Sequence, residues 1–385
     1  MISSFIDSMG NGLFLSGSVL YLTRAVHLSN AQVTVGLTVA GLIGFLTTVP
    51  VSVLGDRTGA GRLLVALQFW KLIGFVGYAF VGNFTQYLAA SAFIALGDRV
   101  AQPVLQTVVG AAVTEERRVA TMAWIRSTRN AGLASGALLA SFAVTVDSLW
   151  GYRAIILADA ATFLASGLLL LALRLPGRTR DTGKAPASPW ALLRTVAKER
   201  RYLGLTLLNG LLSFHTVMLS VGIPLWVSQH TSLPTATIPV LIAVNTVLAV
   251  TLQPWAARGV STLTQAARRC FHAGLALAAA CLQFALVPES GAVAAAVLLT
   301  TAVVCHTLGE VWQSAGGWEI SYALSPKDQR GTYLGVFSLG PTGAQIIGPT
   351  VVVLGVVGSG PPGWILLGAA FAATGWLVRT VCRRA

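Results

Sequence analysis

The sequence predicts an all-α integral membrane protein with twelve transmembrane helices in two pseudo-symmetric six-helix bundles. Three observations carry this. Charged residues make up 10% of the 385 and hydrophobic ones 55%, whereas a soluble domain is about one quarter charged. Apolar runs recur from end to end, each near the roughly 20 residues a helix needs to cross about 30 Å of hydrocarbon. The one sizeable polar stretch lies mid-chain, with six such runs on either side. Twelve crossings of about 20 residues leave only loops and helix overhangs, so no large soluble domain is expected.

Bounded by Gly, Pro or charge, the runs cover residues 2–24, 31–54, 62–82, 85–112, 118–146 and 151–174 in the first half. Those of the second half are 202–229, 235–256, 266–288, 291–324, 330–357 and 362–382. The first run has no charged leader, and further spans follow it instead of a cleavage site, so it is expected to stay as a helix. The second ends at a Gly- and Arg-containing stretch, Gly55 to Arg62. Lys71 lies within the third, Asp98 and Arg99 within the fourth, and Asp159 within the sixth. The tenth exceeds a perpendicular crossing and should tilt or project past the lipid. Gly and Pro inside several runs are tolerated where neighbouring segments satisfy the freed backbone groups.

This layout gives an N-terminal bundle over 1–174, a cytoplasmic linker over 175–201 and a C-terminal bundle over 202–385. The linker contains Pro176-Gly177-Arg178, Asp181, Lys184, Pro186 and Pro189-Trp190. A weak internal match supports duplication: Arg118 opens the fifth span with Gly136 18 residues later, and Arg330 opens the eleventh with Gly348 again 18 later. Paired bundles of this kind can rock about a site near the bilayer midplane.

The net charge is +13, which in a soluble protein would point to nucleic acid. In a membrane chain the positions matter more. With the N-terminus inside, the cytoplasmic connections collect Arg57, Arg62, Arg117, Arg118, the run from Arg174 to Arg201, Arg258, Arg268, Arg269, Lys327 and Arg330. The C-terminal Arg379, Arg383 and Arg384 join them, and only Arg24 and Arg153 lie outside. The first span alone would favour the reverse, but the whole-chain count decides. The expectation is a monomeric, multi-pass protein of the plasma (inner) membrane, both termini cytoplasmic, with lipid and no nucleic acid as partner. Cys270, Cys281, Cys305 and Cys382 lack CxxC spacing, so neither a disulfide framework nor a metal site is expected. Asn83-Phe84-Thr85 matches a glycosylation sequon too short to carry a function.

Several stretches resemble a known family. Gly55-Asp56-Arg57-Thr58-Gly59-Ala60-Gly61-Arg62 resembles the signature Asp-Arg-x-Gly loop of the major facilitator superfamily, with Ala60-Gly61 interrupting its basic continuation. Gly97-Asp98-Arg99-Val100-Ala101-Gln102 is similar to the superfamily's Arg-x-x-Gln-Gly element, with Pro103 in place of the glycine. Gly309-Glu310, Pro326 to Tyr333, Gly335 and Gly348-Pro349 resemble the second half of the twelve-helix drug:proton antiporter branch. That branch's Gly-x-x-x-Gly-Pro pattern is half present, as Gly132 and Gly136 without the proline; glycines four apart suit close helix contact.

The resemblance spans the chain and implies transport driven by an ion gradient, more often of protons than of sodium. It implies that Asp56 meets the positive N-terminal end of the eleventh helix, at Gly331-Thr332, and locks the halves together. Arg57 and Arg62 complete this latch, and Gly55 and Gly59 allow the turn. It also implies that helices one, four, seven and ten surround the cavity. Their polar and aromatic residues include Asn11, Tyr21, Gln102, Gln106, Asn209, Phe214, His215, Met218, Trp226, Trp312 and Gln313. Such a lining suits a lipophilic small molecule with a few hydrogen-bonding groups.

No phosphate-binding loop and no His-Glu-x-x-His pair occurs, so neither an enzyme nor a cofactor is expected. Coupling to protons requires titratable groups inside the membrane. Asp98 is about 20 Å along its helix, and Arg99 points roughly 100° away from it; Asp98 either couples protons or neutralises Arg126 or Arg129. Glu310 and His306, four apart, share a helix face and could exchange a proton. Asp7, about 8 Å along the first helix, ranks below these and reads as interfacial. Glu319 reads as a gating or pairing residue, and Lys71 with Asp159 as a structural ion pair. The function expected is proton-coupled efflux of a small amphipathic organic compound, a drug or secondary metabolite. An importer of a sugar, amino acid or other metabolite is the alternative, which growth-supporting uptake would select. A membrane ligand sensor without flux is the remote one.

Overall fold

The computed structural model describes residues 1–144, 148–173 and 189–383. Residues 175–188 of the linker expected over 175–201, together with Arg174 and Arg384, lie outside the described residues. α1 (Ile2–Leu20) continues through a π-helical turn, Tyr21–Ala25. There follow α2 (Asn30–Thr58), α3 (Ala60–Tyr78), α4 (Phe84–Asp98), α5 (Ala101–Ala112), α6 (Glu115–Val144) and α7 (Leu149–Ala172). A short helix, α8 (Pro189–Lys198), precedes α9 (Arg200–Leu212), α10 (His215–Val217), a π turn at Met218–Gly222, and α11 (Ile223–His230). The chain ends with α12 (Thr237–Ala256), α13 (Leu263–Leu286), α14 (Ala292–Ala323), α15 (Arg330–Thr350), a π-helical stretch Val351–Val357, and α16 (Pro361–Arg383).

Among the described residues ten helices are long and apolar enough to cross a membrane, counting Phe84–Ala112, Arg200–His230, Leu263–Glu289 and Arg330–Val357 as single spans. α1 and α6 bring the long helices to twelve, at 19 and 30 residues. They are less apolar because α1 carries Ser3, Asp7, Ser8 and Asn11, and α6 carries Arg126 and Arg129. The protein is an all-α integral membrane protein of two six-helix halves. α14, at 32 residues, would be about 48 Å long at 1.5 Å per residue, beyond the roughly 30 Å of hydrocarbon.

Local chemistry sets the ends. Ser29 and Gln32 form a reciprocal capping box on α2, and Asn83, Ser148 and Thr262 cap α4, α7 and α13 through their side chains. Asn83 of the sequon is thus a helix cap. Gly59 ends α2 at φ 99°, a conformation that strains a residue with a Cβ. The break between α4 and α5 falls at Arg99–Val100, where Pro103 lacks an N–H and its ring opposes the carbonyl four residues earlier. Pro224 acts likewise on the π turn at Met218–Gly222. α8, a helix within the expected linker, begins with Pro189, whose fixed φ suits a first helical position.

The chain falls into two compact units: Met1–Thr114, Trp124–Arg194 and Pro326–Val336 form the first; Glu115–Ala123, Thr195–Ser325 and Phe337–Ala385 form the second. Two short helix starts are thereby exchanged relative to a linear division. In the first unit an aromatic core joins Phe14, Tyr21, Phe75, Tyr78, Tyr87 and Phe163, with the Tyr21 hydroxyl donating to the carbonyls of Ala79 and Val81, both at 2.9 Å. α1 approaches α6 so closely that a Cβ on Gly136 would overlap the Met9 carbonyl, and one on Gly132 would lie 2.5 Å from that of Phe5. In the second unit α9 and α15 meet in the same way, with a Cβ on Gly210 falling 2.8 Å from the Gly340 carbonyl. Leu46, Leu138, Leu207 and Leu366 remain exposed, as expected of lipid-facing positions in a membrane protein.

Candidate functional site

Each unit buries its own polar cluster. In the first, α1 and α3 bring Asp7 to Lys71, with Lys71 Nζ 2.7 Å from Asp7 Oδ1 and side-chain exposures of 3% for Lys71 and 15% for Asp7. Gln68 Nε2 donates to the same Asp7 oxygen at 3.0 Å and to Ser166 Oγ at 2.6 Å. Ser166 in turn meets Ser3 at 2.6 Å. Asn11 Nδ2 donates to the Asp7 backbone carbonyl at 2.8 Å. Arg129 of α6 donates to Ser8 Oγ at 3.2 Å and lies in the field of Asp7 and Asp98. One expectation is corrected: Lys71 pairs with Asp7, not Asp159, and Asp7 is a half-buried, ion-paired residue. The helix starts are not level: Lys71 lies 11 residues past Ala60, about 16 Å along α3, yet faces Asp7 near the start of α1.

Asp98, the last residue of α4, is exposed and makes no hydrogen bond or ion pair among the described residues, although it acts electrostatically on Arg129 and Asp159. The stem of Arg99 is directed to α2, since a Cβ on Gly44 would lie 2.6 Å from Arg99 Cγ; Asp98 and Arg99 diverge, as the helical angle implies.

In the second unit Glu310 and His306 lie on one face of α14 and are joined by Asn245 of α12. Asn245 Nδ2 donates to Glu310 Oε2 at 3.1 Å and Thr307 Oγ at 2.9 Å, and is 3.5 Å from His306 Nδ1. His306 Nε2 is 2.9 Å from the His215 carbonyl. A carbonyl only accepts, so Nε2 carries hydrogen. His306 is 0% exposed and Glu310 8%. One turn further along α14, Gln313 Nε2 donates to Asn209 Oδ1 at 2.7 Å and Ser213 Oγ at 3.3 Å. Near the end of α14, Glu319 interacts electrostatically with Arg118, which pairs with Glu115 at 3.4 Å and lies over the Tyr322 ring. Gln68, Ser166, Asn245 and Thr307 were missing from the sequence reading. They are uncharged, and their only signal was polarity within apolar runs.

The loop motif makes the contact expected of it. Asp56 Oδ1 accepts from Gly331 N at 2.7 Å, and Oδ2 accepts from Thr332 N at 2.7 Å and Thr332 Oγ at 2.6 Å. The two N–H groups are orphan donors of the first turn of α15. Gly55 is buried beside it and Gly59 supplies the turn; Arg57 is half-buried and Arg62 exposed. Arg330 adds a hydrogen bond to the Gly110 carbonyl at 2.9 Å.

The cavity candidates separate by burial. Gln102 is exposed, and Asn11, Gln106 and Trp312 are half-buried. Asn209, Phe214, His215 and Gln313 are buried around the α14 cluster. Tyr21, Met218 and Trp226 are each 0% exposed, and all three are held by core contacts. Tyr21 binds two carbonyls, Met218 packs on Cys281, and Trp226 stacks on His230 while donating to the Phe284 carbonyl at 2.9 Å. Those three belong to the packing, not to a surface a substrate touches in this conformation. Among the described residues no group of three or more His, Cys, Asp or Glu is placed to hold a metal ion.

Comparison with known proteins agrees with this layout. The family model of the Major Facilitator Superfamily matches residues 1–380. No curated protein sequence matches. Among solved structures, a bacterial homologue of the iron transporter ferroportin is similar at a TM-score of 0.76 and 16% identity, over 100% of this chain and 97% of that one. FucP, the E. coli fucose:proton symporter, is similar at 0.76 and 15%, over 98% and 96%. The human organic anion transporter MFSD10 (TETRAN) follows at 0.70 and 16%, over 98% and 97%. At these identities the likeness concerns the fold.

Proposed function

We propose that this chain, which belongs to the Major Facilitator Superfamily, is a secondary active transporter that uses a proton gradient to export a small amphipathic organic compound by alternating access. One observation carries the reading: Glu310 and His306 are buried on one face of a membrane-spanning helix and bridged by the single amide of Asn245. Titratable groups placed so deep are costly, and in membrane proteins they mark proton or substrate pathways. Asp98 supplies a second group, exposed at a helix break and within the field of Arg129. Export follows from the likeness of Gly309-Glu310, Pro326 to Tyr333 and Gly348-Pro349 to drug:proton antiporters. The similar solved structures are a homologue of an iron transporter, a fucose:proton symporter and an organic anion transporter, so the fold alone does not choose the cargo. Amides on the first unit, Asn11, Gln102 and Gln106, and an indole on the second, Trp312, support an amphipathic one.

The test uses purified protein in liposomes with an imposed pH gradient and ethidium as a lipophilic cation. Wild-type protein should drive ethidium against its concentration gradient. Asp98→Asn and Glu310→Gln should each abolish that uphill flux while downhill flux persists. Should both variants keep gradient-driven transport, the coupling assignment is wrong.

A further inference from the structure

We propose that Asp159 is a second proton site, formed with Lys71 and Asp7, in which the Lys71 ammonium passes between two carboxyls and the proton rests on whichever one the ammonium leaves. Asp159 sits on α7 with 0% exposure, and its Oδ2 has no hydrogen-bond partner. Thr162 Oγ is 3.5 Å from Oδ1, but that hydroxyl gives its one hydrogen to the Asp159 backbone carbonyl at 2.7 Å. The hydroxyl can therefore offer the carboxyl only a lone pair, which suits a protonated acid and not a carboxylate. α1 closes the other side, because a Cβ on Gly10 would overlap both Asp159 Oδ1 and Thr162 Oγ. An ionised carboxylate enclosed in this way, with no donor, is strongly disfavoured.

Lys71 is placed to serve both acids. Its ammonium is 2.7 Å from Asp7 Oδ1 and 4.2 Å from the ring centroid of Phe163 on α7. Phe163 follows Asp159 by four residues, so both occupy one helix face, and Lys71 already lies against that face. The charged groups around Asp159 are Asp7 from α1, Lys71 from α3 and Asp98 from α4; Arg129 and Arg126 of α6 stand beyond Asp7 and Asp98. Of these three charges, the Asp7 and Asp98 carboxylates repel a negative charge on Asp159 and the Lys71 ammonium attracts one.

Two states follow. In the first, Asp7 is a carboxylate bound to Lys71 and Asp159 carries a proton. In the second, Lys71 turns to Asp159, the Asp159 O–H bond breaks, and its proton passes to the carboxylate that the ammonium has left, Asp7, whose side chain is 15% exposed and is the one that exchanges protons with water. The proton lost by one carboxyl is gained by the other, and the three groups stay neutral in sum. Sequence reading treats Lys71 and Asp159 as a fixed structural pair; the geometry points to an exchange. The inference rests on the proton-coupled reading, but it is tested first without transport.

Infrared spectra of the full chain in lipid nanodiscs at neutral pH report protonated carboxyl groups directly. Asp159→Asn should remove one protonated-carboxyl band, and Lys71→Gln should add one, because Asp7 loses its counter-ion. An unchanged band in Asp159→Asn, or no added band in Lys71→Gln, would overturn the proposal. In liposomes Asp159→Asn should keep downhill ethidium flux and lose the gradient-driven part; full retention of the driven flux would likewise overturn it. Absence of ethidium transport by wild-type protein would instead count against the broader reading and leave the spectroscopic result standing.

Discussion

Asp56 shows how one side chain can do the work of a helix cap from far along the chain. Two of its three hydrogen bonds, from the N–H groups of Gly331 and Thr332, satisfy donors that α15 cannot satisfy itself, and the third comes from the Thr332 hydroxyl. Charge-assisted bonds of this type contribute about 1.5–3 kcal/mol, so Asp56→Ala should speed amide hydrogen exchange at Gly331 and Thr332 by roughly ten- to a hundredfold. Asp56→Asn keeps one acceptor oxygen and should fall between the two. Exchange unchanged in both variants, read by mass spectrometry, would refute the cap. This contact was legible beforehand because the loop motif and the start of the eleventh span are both written in short strings of residues. The Asp7–Lys71 pair was not legible. Its two members are 64 positions apart, and depth counted from span ends assumes level helix starts. Glu310 and His306 were legible from their spacing of four, whereas their bridge Asn245, an uncharged residue on another helix, left no comparable mark.

At the scale of elements, long apolar runs announced the helices, but nothing in hydropathy announces a single irregular turn. The break at Arg99–Val100 is the instructive case. Pro103 stood in plain view as a departure from a family pattern, and its consequence four residues earlier is steric. Removing the ring that opposes the Arg99 carbonyl lets α4 and α5 join into one helix, so Pro103→Ala should raise the thermal unfolding midpoint in detergent. It should also lower gradient-driven transport, because a continuous helix would turn Asp98 away from its present exposed position. A stabilised variant with undiminished driven transport would show that the break serves neither. The glycine contacts belong to the same scale. With α1 backbone against α6 at Gly136, Gly136→Leu should reduce the yield of folded protein and its unfolding midpoint, while Gly41→Leu, where an added Cβ meets nothing within 4 Å, serves as the control.

Taken whole, the molecule is written in sums over many residues: an apolar majority, basic residues gathered on alternate connections, and a polar middle. Such sums survive errors of a few residues, which is why the six-plus-six layout was readable from composition and spacing. They do not resolve which short segments associate with which unit. Three helices are divided between the compact units, the short α8 at Arg194/Thr195 and two long ones, α6 and α15, at Ala123/Trp124 and at Val336/Phe337. The two long ones differ at that passage. α6 contains no proline, whereas Pro341 in α15 places its ring against the carbonyl of Phe337 and leaves that bond unmade. Bending is therefore cheaper in α15, at the residue where the division falls. If transport requires the units to move, Pro341→Ala should stiffen this passage and slow turnover while ethidium binding stays unchanged. Stopped-flow transport rates measured beside equilibrium binding separate the two effects. Weakened binding at an unaltered rate would make Pro341 a residue of the substrate path and remove it from the moving joint.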